Sequence, residues 1–568
     1  MPSIAKVVID LTLDREFDYS IPPELESRVL PGSRVVVPFG RSVRNGFVIA
    51  LADRSTRTDL KAVLDSPDEF PLIEKSLLEL ARWIGDYYCV PVEQAVRSVL
   101  PAPVRNPDAS FKTRRIVHTS AGAAPDAKLS AKQQALFALI RESGGIAVVD
   151  LLKKAGCTAA PLKILERRGL VEIRVETVVR PPLVGRNVLR TGSLELMQEQ
   201  ADALAALRGI MDTPPGVLLL HGVTGSGKTE VYLQAIEYGL SRGQGAIVLV
   251  PEISLTPQTV DRFLARFGDR IAVLHSHLSD GERHDEWYRI RKGEAPIVVG
   301  ARSAVFAPVH NLGLIVVDEE HEPSYKQEES PRYHARDVAV MRGNMARCAV
   351  LLCSATPSLE SWTNVKRSKY KLAVLPRRAD DRQMPAMRVV DMRIEAERAG
   401  HACVFSKELL DAMHKRLEKG EQVMLFLNRR GFATSLLCPF CGHVETCPQC
   451  SVSCTYHKTD DTIRCHVCGR TRKIPAKCPQ CGDPRFRMAG IGTQRVEQIV
   501  RKCFPKAQIQ RMDADVTHAK DAYDRILGDF RVGKTDILIG TQMIAKGLHF
   551  PNVTLVGIVY ADLSLYVP

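Results

Sequence analysis

At 568 residues the chain is too long for one hydrophobic core and implies about three to four domains, while 45% hydrophobic and 25% charged residues exclude wholesale disorder. Its formal net charge of +13 suits a polyanionic partner such as nucleic acid. No run approaches the roughly 20 apolar residues of a membrane span, and an N-terminus already acidic at Asp10 excludes a signal peptide, so a cytoplasmic protein without membrane contact is expected.

Residues 1–105 carry short alternating runs, VVID and SRVVVPFG, punctuated by Pro31-Gly32 and Pro38-Phe39-Gly40; they predict a small β-rich domain with tight turns. From Ile73 to Val90 the pattern becomes helical, and Pro101-Ala102-Pro103 marks an exit. Residues 110–180 form the next domain. From Leu129 they show three helical patterns and a short strand, LVEI, with Ser130 as N-cap of the first helix and Gly144-Gly145 as its end. This reads as a winged-helix module, which either binds duplex DNA or serves as an adaptor between proteins.

A basic linker, 180–190, leads to residues 195–375, where apolar strands alternate with helices and predict a doubly wound parallel sheet. In VLLLHGVTGSGKTE, from Val217 to Glu230, a strand feeds a glycine-rich turn that opens a helix, and Gly222, Gly227, Lys228 and Thr229 complete G-x-x-x-x-G-K-[ST]. Such a turn aims backbone N–H groups, here around Thr224, Gly225 and Ser226, at a polyphosphate, which makes ATP the expected ligand. Lys228 meets its β/γ-phosphates and the Thr229 hydroxyl holds Mg²⁺. Asp318-Glu319-Glu320-His321 follows the strand LGLIVV, which places its carboxylates at the carboxyl edge of the sheet. Asp318 is expected to share Mg²⁺ with Thr229, and Glu319 to polarise the attacking water. The competing reading is an acidic helix N-terminus stabilised by the helix dipole.

A second α/β set occupies 400–568. Within it, at 437–482, four C-x-x-C pairs supply eight thiolates, the ligand count of two tetrahedral zinc sites; iron–sulfur clusters are the alternative. The first two pairs lie too close to share an ion comfortably. Nesting is therefore expected, with Cys438, Cys441, Cys478 and Cys481 around one Zn²⁺ and Cys447, Cys450, Cys465 and Cys468 around the other.

The order of VPEISLTPQ (250–258), DEEH, LLCSATPS (351–358) and IGTQMIAKG (539–547), together with the cysteine pairs, resembles helicase superfamily 2 and, within it, the primosomal replication-restart helicases. The resemblance implies two RecA-like lobes and an ATP-dependent 3′-to-5′ DNA helicase that recognises stalled or repaired forks and initiates primosome assembly. It further implies that Gln200 contacts adenine, that Ser354-Ala355-Thr356 links hydrolysis to DNA movement, and that Thr541, Gln542 and Lys546 line the second lobe. In the aromatic-rich loop HEPSYKQEESPRYHARD, Tyr325, Tyr333 and Arg336 are expected to engage single-stranded DNA. In the first domain Asp18, Gly40 and Lys61 are expected to hold a 3′ end, and primosome proteins and single-strand-binding protein are the implied partners. Family members continue past the point where this chain stops with a motif that supplies an arginine finger, and Leu548-His549 departs from the family pattern. A truncated gene product is therefore expected, a fragment and a natural variant being the alternatives, and a fork-binding scaffold with impaired hydrolysis is the second functional reading.

Overall fold

The computed structural model describes residues 4–9, 11, 14–106, 112–120, 129–178, 188–252, 255–276, 278–379, 385–401, 403–427, 434–435, 438, 440–457, 462–465, 467–483, 493–513, 522–541, 544 and 550–562. The chain divides into two compact units, 1–252 with 261–382 and 253–260 with 383–568.

The first unit begins with an antiparallel sheet whose strands lie in the order Phe17–Ser20, Ile4–Ile9, Ser42–Ala52, Arg34–Phe39. Alternation sends Val35, Val37 and Val48 to one buried face and Val8, Phe47 and Ile49 to the other. The turn at Pro31-Gly32 requires glycine: φ is +91°, and a Cβ there would lie 1.9 Å from the Ile73 carbonyl oxygen. Helix Lys75–Tyr87 presents Leu77, Leu80, Ala81 and Ile84 along one stripe. That stripe joins Val8 and Phe47 in a core that runs on through Ile247, Val298, Ile315 and Leu352 of the large sheet.

Between them in sequence, helices Ala131–Ser143, Val148–Ala155 and Ala160–Arg167 pack around Leu136, Phe137, Leu151 and Leu165. The backbone N–H of Ser130 donates to the Gln133 side chain, and Gly144 ends the first helix in the left-handed conformation. These helices lie against a three-stranded antiparallel sheet, ordered Ile146–Ala147, Lys112–Thr119, Val171–Val178. Strand Lys112–Thr119 has no counterpart in the sequence reading, because KTRRIVHT alternates too weakly to stand out before it is paired.

The seven-stranded parallel sheet has the order Ile271–Leu274, Ile297–Gly300, Gly245–Leu249, Leu312–Val317, Ala349–Ser354, Gly216–Gly222, Lys371–Leu375. Its strands read IVL and LIVV because both faces are covered. The order sets the carboxyl ends of 312–317, 349–354 and 216–222 side by side.

The second unit holds a four-stranded parallel sheet, Ile509–Met512, Ile537–Gly540, Gln422–Leu427, Val553–Val559. Val423, Leu425, Ile537 and Ile539 pack on one face with Val496 and Val500, and Met424 and Leu538 pack on the other with Phe530, so this sheet is doubly wound as well. A separate antiparallel sheet of short strands, Thr434–Ser435, Thr455–His457, Thr462–Arg464, Thr471–Lys473, belongs to the cysteine-rich stretch. No helix among the described residues is long and apolar enough to cross a membrane.

Candidate nucleotide, metal and DNA sites

Strand Gly216–Gly222 delivers the glycine-rich turn, and helix Lys228–Ser241 leaves it. Gly225 and Gly227 both take φ of +81°, which bends the turn back on itself. The Lys228 ammonium is folded inward and donates to the carbonyls of Gly222 (2.8 Å) and Val223 (3.4 Å). A polyphosphate is a better partner for that cation than two carbonyls. Gln200, on helix Gln198–Asp212, accepts from the Met197 N–H (2.9 Å) and donates to the Ser226 carbonyl (2.8 Å). Both ends of its amide are thus engaged with backbone, and it braces the turn from below. A Cβ on Gly227 would lie 2.3 Å from Gln200 Nε2. Gly227→Ala is therefore expected to weaken ATP binding by about tenfold or more, through left-handed strain and displacement of that brace, as read by titration with a fluorescent ATP analogue.

Asp318 follows its strand and is linked to Thr229 through a shared neighbour: Tyr232 donates to Asp318 Oδ2 (3.3 Å) and is also hydrogen-bonded to Thr229. Burial and the adjoining Glu319 carboxylate push Asp318 up to about 6, against the pull of Lys228. A divalent cation between Thr229 and Asp318 would reverse that push, so the pair fits Mg²⁺. Glu319 sits at φ +47°, a left-handed backbone that non-glycine residues rarely adopt. Its carboxylate lies 3.6 Å from His321 Nδ1, and the same nitrogen is 2.8 Å from Ser354 Oγ. Ser354 Oγ in turn accepts from the Thr356 N–H (2.9 Å), so the SAT stretch is tied directly to the acidic strand end.

The aromatic-rich loop departs from expectation. Tyr325 is 1% exposed and donates to the Asp318 carbonyl (2.7 Å); Tyr333 is 2% exposed, with its ring edge-on to Phe306 at 5.3 Å. Burial raises the Tyr333 phenol to about 12 and moves Tyr325 in the same direction. Neither ring is presented to a base. Arg336 is 7% exposed and pairs with Glu320 (3.2 Å), so it too is withdrawn from phosphate. Their hydroxyls and charge have partners inside the protein, which the mixture of aromatic and basic residues in the sequence did not reveal. Lys326 and Arg332 are the exposed cations of this loop. Tyr232 and Glu320 also matter to the site, and in the sequence their only signals are an extra acid in DEEH and a tyrosine one helical turn past Lys228.

The eight cysteines gather as the nested pairing anticipated. Cys438, Cys441, Cys478 and Cys481 form one group and Cys447, Cys450, Cys465 and Cys468 the other, with the sulfurs of each within 4.8 Å of one another. Sγ–Sγ distances of 3.6, 3.6 and 3.7 Å for Cys438–Cys481, Cys441–Cys478 and Cys447–Cys468 approach the about 3.8 Å edge of a tetrahedron with Zn–S bonds of about 2.3 Å. Backbone N–H groups of Gln449 and Cys450 point at Cys447 and lower its thiol to about 6. Cys450, beside Cys468 and Cys465, is pushed up to about 12, because adjoining thiolates repel unless a cation lies among them. The donor set fits two Zn²⁺ ions.

In the N-terminal sheet, Asp18 accepts from Lys6 Nζ (3.2 Å) and Ser55 Oγ (2.6 Å). Burial opposes its ionisation, but these two partners hold it below the usual carboxylate range. Lys61 Nζ donates to the Gly40 carbonyl (3.3 Å), and the Lys61 carbonyl accepts from Ser20 N–H, two residues from Asp18. Phe17 and Phe39, each adjoining one of these residues, meet edge-on at 5.3 Å. The contacts of Lys61 with Gly40 and Ser20, and of Phe17 with Phe39, therefore bring Asp18, Gly40 and Lys61 together although their strands are the two opposite edges of the sheet. Thr541 is half-buried and its carbonyl accepts from Ile544 N–H; Gln542 and Lys546 lie outside the described residues.

A P-loop and an acidic strand end on parallel strands that flank the one carrying a serine–threonine stretch, with a second parallel sheet following, are the arrangement of a helicase of the P-loop class. Family models match in the same order: a 3′ DNA-binding domain over residues 6–101, a DEAD/DEAH box helicase over 197–365, the Cys-rich region of the PriA DNA helicase over 447–473 and a helicase conserved C-terminal domain over 490–566. The chain is 40% identical to replication restart protein PriA of Bacillus subtilis (strain 168), across 100% of this chain and 79% of that one. It is 40% identical to the PriA of Haemophilus influenzae, across 99% and 77%, and 38% identical to that of Chlamydia trachomatis serovar D, across 99% and 77%. The chain belongs to the PriA family of replication restart proteins, DNA helicases that bind DNA, ATP and structural zinc.

Proposed function

We propose that ATP hydrolysis between Gly222–Thr229 and Asp318–Glu319 drives 3′-to-5′ movement of this chain along DNA at stalled or repaired forks, and that the bound protein initiates primosome assembly. The observation that carries this reading is the convergence of Thr229 and Asp318 on Tyr232, with His321 linking the acids to Ser354. In the proposed division of labour, the N–H groups of residues 224–229 cradle the phosphates and Lys228 leaves its carbonyls for the β/γ-phosphates. Glu319 orients the attacking water. Mg²⁺, held by Thr229 and Asp318, would neutralise charge developing on the phosphates. Gln200, braced against the P-loop, would adjust it as adenine arrives.

We further assign capture of a 3′-terminal nucleotide to Asp18, Gly40 and Lys61, and a protein- or duplex-contacting role to the winged-helix-like module at 112–178. A hydrogen bond from a terminal hydroxyl to a carboxylate is worth about 1.5–3 kcal/mol. Asp18→Ala is accordingly expected to erase a preference of about ten- to a hundredfold for forks ending in a 3′-hydroxyl over a 3′-phosphate, measured by competition binding; an unchanged preference would remove Asp18 from the site. Primosome proteins and single-strand-binding protein are the proposed partners. Unwinding of a forked duplex in the presence of ATP tests the motor directly. Single-turnover hydrolysis separates it from the scaffold reading: tight fork binding with no turnover is the scaffold's signature.

A further inference from the structure

Glu320 is the one acid of DEEH for which the ATPase reading has no use, and it is fully buried. Its carboxylate nevertheless has four hydrogen-bond donors, drawn from separate parts of the sequence. Oε1 accepts from the Ser358 N–H (2.7 Å), while Oε2 accepts from Ser358 Oγ (2.9 Å), Ser361 Oγ (2.9 Å) and Arg336 Nη1 (3.2 Å). Arg336 Nη1 also donates to Ser358 Oγ (2.7 Å), and the guanidinium lies beside Asp337 (3.1 Å) and Glu360 (3.8 Å). Ser358 is the N-cap of helix Leu359–Lys366, so the carboxylate also faces that helix's positive end.

A buried charge satisfied this fully is an anchor with a defined geometry. It joins three elements. Glu320 follows Glu319, whose left-handed backbone must be held in place, and its own N–H is fixed on the Cys353 carbonyl (2.9 Å). Arg336 stands in the first turn of helix Ala335–Met345, immediately after the loop that runs from Glu322 to His334; the His334 ring accepts from the Arg336 N–H (3.3 Å). Ser358 and Ser361 open the helix that follows the SAT stretch. The anchor therefore fixes the backbone immediately after Glu319 against the starts of two helices.

We propose that Glu320 and Arg336 are positioning residues for ATP hydrolysis: their buried pair, with Ser358 and Ser361, sets the orientation of Glu319. The proposal rests on Glu319 acting on the attacking water. It assigns Arg336 a mechanical task in place of a phosphate contact.

The test uses the full chain with forked DNA and saturating ATP in single-turnover mode. Because removing one partner strands the other's charge, the informative variants are Ser361→Ala, which deletes one hydrogen bond without touching charge, and the neutral pair Glu320→Gln with Arg336→Met. Hydrolysis is expected to fall about threefold in the first and at least about tenfold in the second, while KM for ATP and Kd for single-stranded DNA stay within about threefold, and Arg336→Lys is expected to recover part of the rate. A folded neutral-pair variant with normal turnover would overturn the proposal. So would a variant whose DNA affinity falls while its rate at saturating DNA is unchanged, since Arg336 would then be a DNA ligand. Amide exchange at residues 319–321 gives a second reading that needs no turnover: it is expected to quicken in Ser361→Ala, and equal exchange counts against the anchor. Should the unaltered chain fail to hydrolyse ATP while exchange responds to Ser361→Ala, the motor reading fails and the anchor stands.

Discussion

Lys228→Ala is expected to lower DNA-stimulated ATP hydrolysis by about 10²- to 10³-fold while leaving affinity for forked DNA nearly unchanged. The scale is that of removing one preorganised charged or hydrogen-bonding contact from a developing transition-state charge, about 3–4 kcal/mol. The fork should still bind because the Asp18, Gly40 and Lys61 cluster lies on a separate sheet and shares no hydrogen bond with the P-loop among those described. In the ground state the substitution removes Lys228's bonds to the carbonyls of Gly222 and Val223. Steady-state hydrolysis with and without forked DNA, paired with a binding isotherm, checks both halves. Normal turnover in the variant would show that the P-loop is not the hydrolytic site.

The second large effect concerns the cysteines. Purified protein is expected to carry two zinc ions per chain, and strong chelation to unfold the segment from 438 to 481. Apart from its sulfurs, that segment's buried apolar side chains are few among the described residues, chiefly Ile463 and Ile474. So small a core cannot offset the conformational entropy of some forty residues, whereas structural zinc contributes on the order of 10–16 kcal/mol in small zinc-finger peptides. Cys438→Ser should cost one equivalent of metal and Cys447→Ser the other, each leaving its neighbour loaded, because the two ligand groups share no residue. Atomic absorption, with near- and far-ultraviolet circular dichroism before and after chelation, gives the answer. Metal near zero in fresh protein would defeat the assignment.

How far the sequence disclosed this depended on what kind of chemistry each residue serves. The P-loop and the nested cysteine pairs were legible because phosphate cradles and tetrahedral metals demand fixed residue types at fixed spacing, whatever surrounds them. Ser130 and Gly144 were legible for a similar reason, since helix ends have local rules. Tyr325, Tyr333 and Arg336 were not. An aromatic beside a cation reads equally well as a base-stacking surface or as a buried hydrogen-bonded group, and only the fold around Phe306 and Glu320 decides. Gln200 shows the same limit: the resemblance pointed to it as an adenine contact, but its two backbone partners were not readable. Glu320 was invisible because three neighbouring acids look alike until one of them is enclosed by Ser358 and Ser361.

The apolar body that begins at Val8 and Phe47 and continues without interruption to Ile315 and Leu352 has a consequence for inheritance. The sheet proposed to hold a strand end and the sheet that carries the P-loop are joined by one apolar core, so a change of volume in one must be answered by repacking in the other. Stripped of the first sheet, the ATPase half would be left with a greasy scar across helices it never evolved to show to water.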